Sequence, residues 1–145
     1  MVLTTRDGVI SDWVLIPANA DEREGALDLL EAYSNLCALG GKGFLDQVRQ
    51  AYLQEQHGIH MVTPKRKNQK QQNPKEWDLL LKQARQRIES VYSQAKAFFG
   101  LEKPRAKTFW GLASRLIAKL TGMALAAWAN RSHGRSPLVL AEFAF

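Results

Sequence analysis

The stretch from Pro74 to Gly100 limits the possible folds of this chain more than any other segment. Its apolar residues recur every three or four positions, which is the spacing of one helix face. Proline is favoured in the first turn of a helix and glycine just after the last, so the pattern predicts a helix over residues 74–99. Such a long helix needs a core for its apolar face, which consists of Ile88, Val91, Ala95 and Phe98.

The same segment carries a stripe of charged residues. On a helix, Lys82, Arg85, Glu89 and Lys96 fall within about 60° of one another. One interpretation is a solvated face with an Arg85–Glu89 pair one turn apart, and helix geometry alone favours it. The other is a carboxylate flanked by cations, an arrangement suited to metal-assisted chemistry on a polyanion.

The rest of the chain alternates short apolar runs with helical segments. An Asp7-Gly8 pair between two apolar runs predicts a β-hairpin. Asn19 or Asp21 can cap a helix that runs to about Tyr33, and another helix is expected around residues 46–56. A further helix is expected over residues 108–130.

Two other apolar runs, residues 36–39 and 59–63, are each bounded by glycine or proline and predict buried strands. Cys37 lies in the first run and is expected to be buried. The predicted order is β-β-α-β-α-β-α-α, and we interpret it as one α/β domain over residues 1–145 in which helices cover a mixed sheet.

Positive charge is concentrated in the middle of the chain. Residues 61–110 carry 12 Lys or Arg against 4 Asp or Glu, whereas residues 1–60 carry 4 against 9. Residues 65–73 contain no apolar side chain and predict a mobile basic loop. Such a loop favours a phosphate-rich partner through counterion release, although an acidic membrane surface or plain solvation would also suit it. Its cations are Lys65, Arg66, Lys67 and Lys70.

Composition argues against secreted and membrane-spanning classes. The single cysteine, Cys37, excludes an internal disulfide framework and is typical of a reducing compartment. The first residues lack the pattern of a signal peptide. The helix over residues 108–130 is long and apolar, but Arg115 and Lys119 lie inside it, so we expect a buried amphipathic helix instead of a membrane span.

Other candidate sites are weaker. His57 and His60 have a spacing seen in metal sites, but no third ligand lies near them in sequence, and an incidental pair is favoured. Residues 40–43 read Gly-Gly-Lys-Gly, which lacks the length and the Lys-Ser/Thr ending of a P-loop. Four aromatic residues could stack on bases, although core packing between the last two helices is favoured. They are Phe98, Phe99, Phe109 and Trp110.

The spacing of Arg85, Glu89 and Lys96 resembles the C-terminal signature of bacterial insertion-sequence transposases of the DDE class, Y-x-x-R-x-x-x-E-x-x-x-x-x-x-K. Residues 63–69 and 98–105 resemble the same family. The resemblance extends over nearly the whole chain, from the hairpin to the last helix.

The resemblance implies an RNase H-like fold in which three carboxylates hold two Mg²⁺ ions for cleavage and transfer of DNA strands. Glu89 would be the third acid, Arg85 would orient it, and Lys96 would grip a phosphate of double-stranded DNA at the element ends. Lys82 stands where the signature has tyrosine, and we expect it to contact DNA with the basic loop.

Two departures from the family pattern bear on activity. The second acid belongs to an Asp-Lys-Gly-Tyr/Phe motif, and Gly41 takes the place of that aspartate. The first acid is expected on a strand before the hairpin, and Asp7 lies in the wrong place to replace it. We therefore expect a truncated chain that is catalytically inactive and does not bind Mg²⁺ productively.

The alternative is a noncatalytic DNA-binding or interfering module derived from a transposase. It would act with an intact transposase or by self-association, without a membrane partner. Either reading implies a bacterial cytoplasmic protein associated with the nucleoid.

Overall fold

The computed structural model describes residues 1–42, 44, 46–65, 68 and 72–140. This part of the chain is mixed α/β, with four helices and two small sheets. The elements in chain order are β1 (Val2–Thr4), β2 (Ile10–Trp13), α1 (Glu22–Leu30), β3 (Cys37–Leu39), α2 (Gln47–His57), β4 (His60–Val62), α3 (Lys75–Phe99) and α4 (Phe109–Ser132).

The strands pair in two separate sheets, β1 with β2 and β3 with β4. The second pair is parallel, with Ala38 opposite Met61 and helix α2 as the crossover. Each strand is only three or four residues long and bonds to one neighbour. Among the described residues, the expected single mixed sheet is therefore replaced by two ribbons.

Two compact units make up the chain, and the first consists of Met1 and Trp13–Arg85. Its most deeply buried side chains are Leu53 of α2 and Ile59 just before β4, both fully inaccessible to solvent. Apolar residues of α1 are buried in this unit as well. Two parallel strands need a crossover connection, and α2 is the crossover between β3 and β4. Leu53 is the buried residue of this helix.

The prediction that Cys37 is buried was wrong. In β3, Ala38 is buried, whereas Cys37 and Leu39 on either side of it are exposed. Side chains alternate between the two faces of a strand, and here only the face of Ala38 is covered. The continuous apolar run had suggested a strand covered on both faces.

The second unit consists of Val2–Asp12 and Gln86–Phe145, described up to residue 140. Its core joins Val91 and Ala95 of α3 to Met123 of α4 and to Leu140. Val91 and Ala95 belong to the predicted apolar face, but Phe98 of that face is 43% exposed. Phe99 packs against the core instead.

Local sequence signals account for the helix ends. Asp21 accepts a hydrogen bond from the Arg23 amide at the start of α1, and Asp46 accepts one from the Arg49 amide at the start of α2. Gly58 ends α2 with a left-handed φ of 64°, which suits glycine. No helix in the described ranges is long and apolar enough to cross a membrane.

Asp7 stabilises the hairpin turn through a hydrogen bond and an ion pair. The Thr5 hydroxyl donates to its carboxylate at 3.0 Å, and the Arg131 guanidinium lies 3.5 Å away. Hydrogen bonding from its own amide and from Thr5, with smaller contributions from Arg131 and Arg87, lowers the pKa of Asp7 below its ordinary value of 3.8. The folded state therefore favours the charged carboxylate.

We expect Asp7→Asn to destabilise the protein slightly at neutral pH, by less than about 1 kcal/mol, because an exposed ion pair is screened by solvent. A lowered pKa contributes stability above the unfolded value of 3.8, and this contribution is lost as the pH falls through the folded pKa. Urea unfolding of both proteins at neutral pH and near pH 3 measures the difference. A deficit of equal size at both pH values would show that the charge of Asp7 is irrelevant.

Candidate functional site

The charged stripe of α3 faces solvent. Lys82, Arg85, Glu89 and Lys96 are all exposed, whereas Val91 and Ala95 of the same helix are buried. The helix begins just after Pro74, whose carbonyl accepts a hydrogen bond from the Trp77 amide. The long helix thus presents three cations and a carboxylate on its outer side.

Lys96 is paired with Glu102, a partner that sequence reasoning missed. Its ammonium lies 2.6 Å from the Glu102 carboxylate, and about half of each side chain is exposed. Gly100, with φ 56°, reverses the chain after α3, and the Leu101 amide donates to the Ala95 carbonyl at 3.1 Å. An acid two residues beyond a helix-ending glycine was the available signal.

Two cations of α4 hold the connection between α3 and α4. Lys119 donates to the carbonyl of Gly100 at 2.7 Å and also to that of Phe99, which satisfies the end of α3. Arg115 donates to the carbonyls of Pro104 and Arg105 at 2.6 and 2.8 Å. These two charges, which argued against a membrane span, thus have a structural role.

The basic loop is only partly within the described residues. Lys65 is exposed, and Arg66, Lys67 and Lys70 lie outside the described residues. The last residue of the loop returns to the segment before it, since the Asn73 side chain donates to the Thr63 carbonyl at 3.0 Å.

Gly41 stands just beyond the end of β3, where the family motif has its aspartate. The Gly40 amide still bonds to the Val62 carbonyl at 3.0 Å, so Gly41 follows the last pairing of the ladder. A Cβ atom at Gly41 would meet nothing within 4 Å. The backbone has room for an acid at this position, but the sequence places none there.

Asp46 is the nearest acid along the chain, and it has another role. It caps α2 through the Arg49 amide at 2.9 Å and pairs with the Arg49 guanidinium at 2.5 Å. The hydrogen bond from the Arg49 amide, followed by that from the Arg49 side chain, lowers the pKa of Asp46. A carboxylate held in this way is a poor candidate for the second acid that the resemblance implies.

Among the residues that the structure describes, the side chains do not fit a metal pair. In the described ranges, no three side chains of His, Cys, Asp or Glu come together in a group that could hold a metal ion. His57 and His60 therefore acquire no third ligand there, and His60 instead packs edge-on against the Trp77 ring at 6.4 Å. No catalytic step through Mg²⁺ can be derived from this arrangement.

Comparison with protein-family models identifies the family of the chain. Residues 1–109 match the family model described as a transposase DDE domain. The chain belongs to this transposase family. No match was found among curated proteins or among solved structures. Transposases of this family act on DNA and generally use divalent metal ions, and the matched region of this transposase chain contains Arg85, Glu89 and Lys96.

The four aromatic residues flanking the last connection do not form a common core, which corrects the favoured interpretation. Phe98 is 43%, Phe109 63% and Trp110 78% exposed. Phe109 and Trp110 touch each other edge to face at 5.5 Å. Phe109 and Trp110 are exposed because they occupy the first turn of α4, before the part of this helix that packs in the core of the second unit.

Proposed function

We propose that this transposase chain binds duplex DNA with its basic loop and with the α3 stripe, and that Glu89 is the third acid of an RNase H-like site. The observation that carries the proposal is the signature Arg85, Glu89 and Lys96 on the solvent side of α3, within the family match. Exposure matters because a residue that handles a DNA backbone must be reachable by it. In this proposal the two small sheets are parts of the RNase H-like sheet.

Electrostatics supports the DNA partner. The segment 61–110 has 12 cations against 4 acids, and these cations include the loop and the stripe. Each Lys or Arg that neutralises a phosphate releases condensed counterions, which makes the affinity depend steeply on salt. The planar guanidinium of Arg85 can donate two parallel hydrogen bonds to a carboxylate or a phosphate. The ammonium of Lys96 is a compact positive charge that can pair with a phosphate. A DNA partner implies a cytoplasmic, nucleoid-associated protein.

We further propose that this chain does not cleave DNA by itself. Gly41 replaces the second acid, Asp46 is held by Arg49, and the described residues contain no metal-binding group. Catalytic groups that act as a unit lose most of their effect when one is missing, on the order of 10⁴-fold or more in rate. The chain is then a noncatalytic DNA-binding or interfering module.

The test is strand nicking of supercoiled plasmid with Mg²⁺ or Mn²⁺, combined with titration of a fluorescent duplex at several salt concentrations. We expect no nicking above the level of Glu89→Ala, and binding that weakens as salt rises. Nicking that Glu89→Ala abolishes would refute the inactivity proposal and establish Glu89 as catalytic. Binding that ignores salt would refute the DNA-binding proposal.

A further inference from the structure

Glu102 is the only acid in a long basic part of the sequence. Residues 90–141 contain eight Lys or Arg and one Asp or Glu, which is Glu102. Its carboxylate lies 2.6 Å from the ammonium of Lys96. The single acid of this stretch therefore pairs with the lysine of the signature, to which the proposed function assigns a DNA phosphate.

The backbone around Glu102 is fixed on both sides. Gly100 reverses the chain with φ 56°, and the Leu101 amide donates to the Ala95 carbonyl at 3.1 Å. Leu101 also packs against the core of the second unit. After Glu102, the Lys103 amide donates to the Gly100 carbonyl at 3.2 Å. The turn thus brings the Glu102 side chain back to the end of α3, and the backbone geometry favours the ion pair.

The Glu102 carboxylate and a DNA phosphate compete for the same ammonium. Both are anions that accept charge-assisted hydrogen bonds from lysine. A phosphate bound to Lys96 would lie within about 6 Å of the carboxylate, and two like charges at that distance repel each other. Glu102 therefore either leaves Lys96 or weakens phosphate binding there.

We propose that Glu102 inhibits phosphate binding by Lys96 in the free protein and that the DNA backbone displaces it. This inference rests on the proposed function, in which Lys96 binds a DNA phosphate, and it adds a residue that regulates this contact. Glu102 acts through Lys96 and does not itself bind DNA.

The exposure of the pair permits the exchange. The side chains of Lys96 and Glu102 are 50% and 58% exposed, so solvent screens their attraction. Exposed ion pairs are weak, and little is lost when this one breaks. We therefore expect the pair to lower the affinity for DNA by a factor of roughly 2 to 5, without abolishing binding.

The pair also discriminates between kinds of anion. A carboxylate on the same chain acts at an effective concentration on the order of millimolar. A free oxyanion such as phosphate or sulfate must compete with it through a single contact. A duplex that other cations already hold presents its phosphates at a high local concentration, which favours displacement of Glu102. Glu102 therefore favours a polyanion over a free oxyanion at Lys96.

Duplex binding by a set of variants tests the proposal. At moderate salt we expect Glu102→Gln to raise the affinity roughly 2- to 5-fold. The matched control is Glu55→Gln, at an exposed residue of α2, which also raises the net charge from +6 by one and is expected to have a smaller effect. In a Lys96→Met background, Glu102→Gln is expected to change the affinity no more than Glu55→Gln does. Thermal unfolding of each variant verifies that it folds.

Carbodiimide cross-linking measures the displacement itself. The reagent joins a carboxylate to a neighbouring amine as an amide, with loss of water, and mass spectrometry locates the link. We expect a link between Glu102 and Lys96 in the free protein, and a lower yield of it with a saturating duplex whose ends carry 5′-hydroxyl groups. Sodium sulfate at the same concentration of anionic groups is expected to leave the yield unchanged.

The results distinguish failure of this inference from failure of the proposed function. If Lys96→Met weakens binding, the inference alone is overturned by a Glu102→Gln effect no larger than that of Glu55→Gln, or by a cross-link that is absent from the free protein or unaffected by DNA. An effect of Glu102→Gln that persists in the Lys96→Met background would assign Glu102 a structural role and overturn the inference as well. A Lys96→Met protein that binds duplex as tightly as the wild type would refute the phosphate role of Lys96 and the inference together.

Discussion

Replacing Lys65, Arg66, Lys67 and Lys70 with alanine lowers the affinity for duplex DNA on the order of 10²–10³-fold at moderate salt, if each of the four neutralises a phosphate. The plot of log affinity against log salt concentration becomes shallower by about 3 to 4, because each lost phosphate contact removes about one released counterion. Fluorescence anisotropy of a labelled duplex at several salt concentrations measures both quantities. The variant is expected to unfold like the wild type, since the one described residue among the four, Lys65, is exposed.

A control with the same change in net charge separates local contacts from overall charge. Alanine at four exposed cations outside the loop and the stripe, Arg6, Lys103, Lys107 and Arg135, also lowers the net charge from +6 to +2. If the loop binds phosphates directly, this control weakens binding far less than the loop variant. Equal losses in the two variants would mean that DNA responds only to total charge.

Leu53→Ala is expected to destabilise the protein by about 2–5 kcal/mol, the cost of truncating a fully buried leucine and leaving a cavity. Leu53 lies in α2 with no solvent exposure. The carbonyl of Leu53 also accepts hydrogen bonds from the amides of Gly58 and Ile59, so this residue lies where the helix turns into β4. A loss of this size is a large fraction of the usual 5–15 kcal/mol and lowers the melting temperature by roughly 5–15 °C.

Urea and thermal unfolding of Leu53→Ala measure the loss, and Leu79→Ala is the control. Leu79 is 57% exposed, so the same truncation there is expected to change the free energy of unfolding by less than about 0.5 kcal/mol. Similar small losses in both variants would place the core of the first unit elsewhere. A large loss at Leu79 alone would mean that its surface is covered in solution.

Local signals in the sequence predicted the elements of the fold well. The Asp-Gly turn, the N-cap at Asp21 and Gly58 at the end of α2 each act within a few residues, so their effects can be read without tertiary context. Burial is harder to predict from the sequence, because it depends on which faces of a helix or strand other elements cover. Cys37 lies on an uncovered strand face. Phe98 was expected in the core but is exposed, and Phe99 packs against the core instead.

The placement of the candidate residues on one exposed face of α3 was predictable from the sequence. The spacing of Arg85, Glu89 and Lys96 is a property of sequence alone, and all three residues lie within the family match. The partners of such residues were not predictable, because they depend on how the chain turns back. The pair between Lys96 and Glu102 requires the reversal at Gly100, and the roles of Arg115 and Lys119 require α4 to lie against the end of α3.

The hydrogen bonds of Lys119 couple the position of α4 to the end of α3, close to Lys96. The Lys119 ammonium holds the last carbonyls of α3, one helical turn beyond Lys96, and Arg115 holds the two that follow in the connection. Any ligand that shifts α4 along its axis must either break these four hydrogen bonds or pull the end of α3 along with it. The end of α3 near Lys96 is therefore tied to a helix of which all but the first residue lies beyond the matched region.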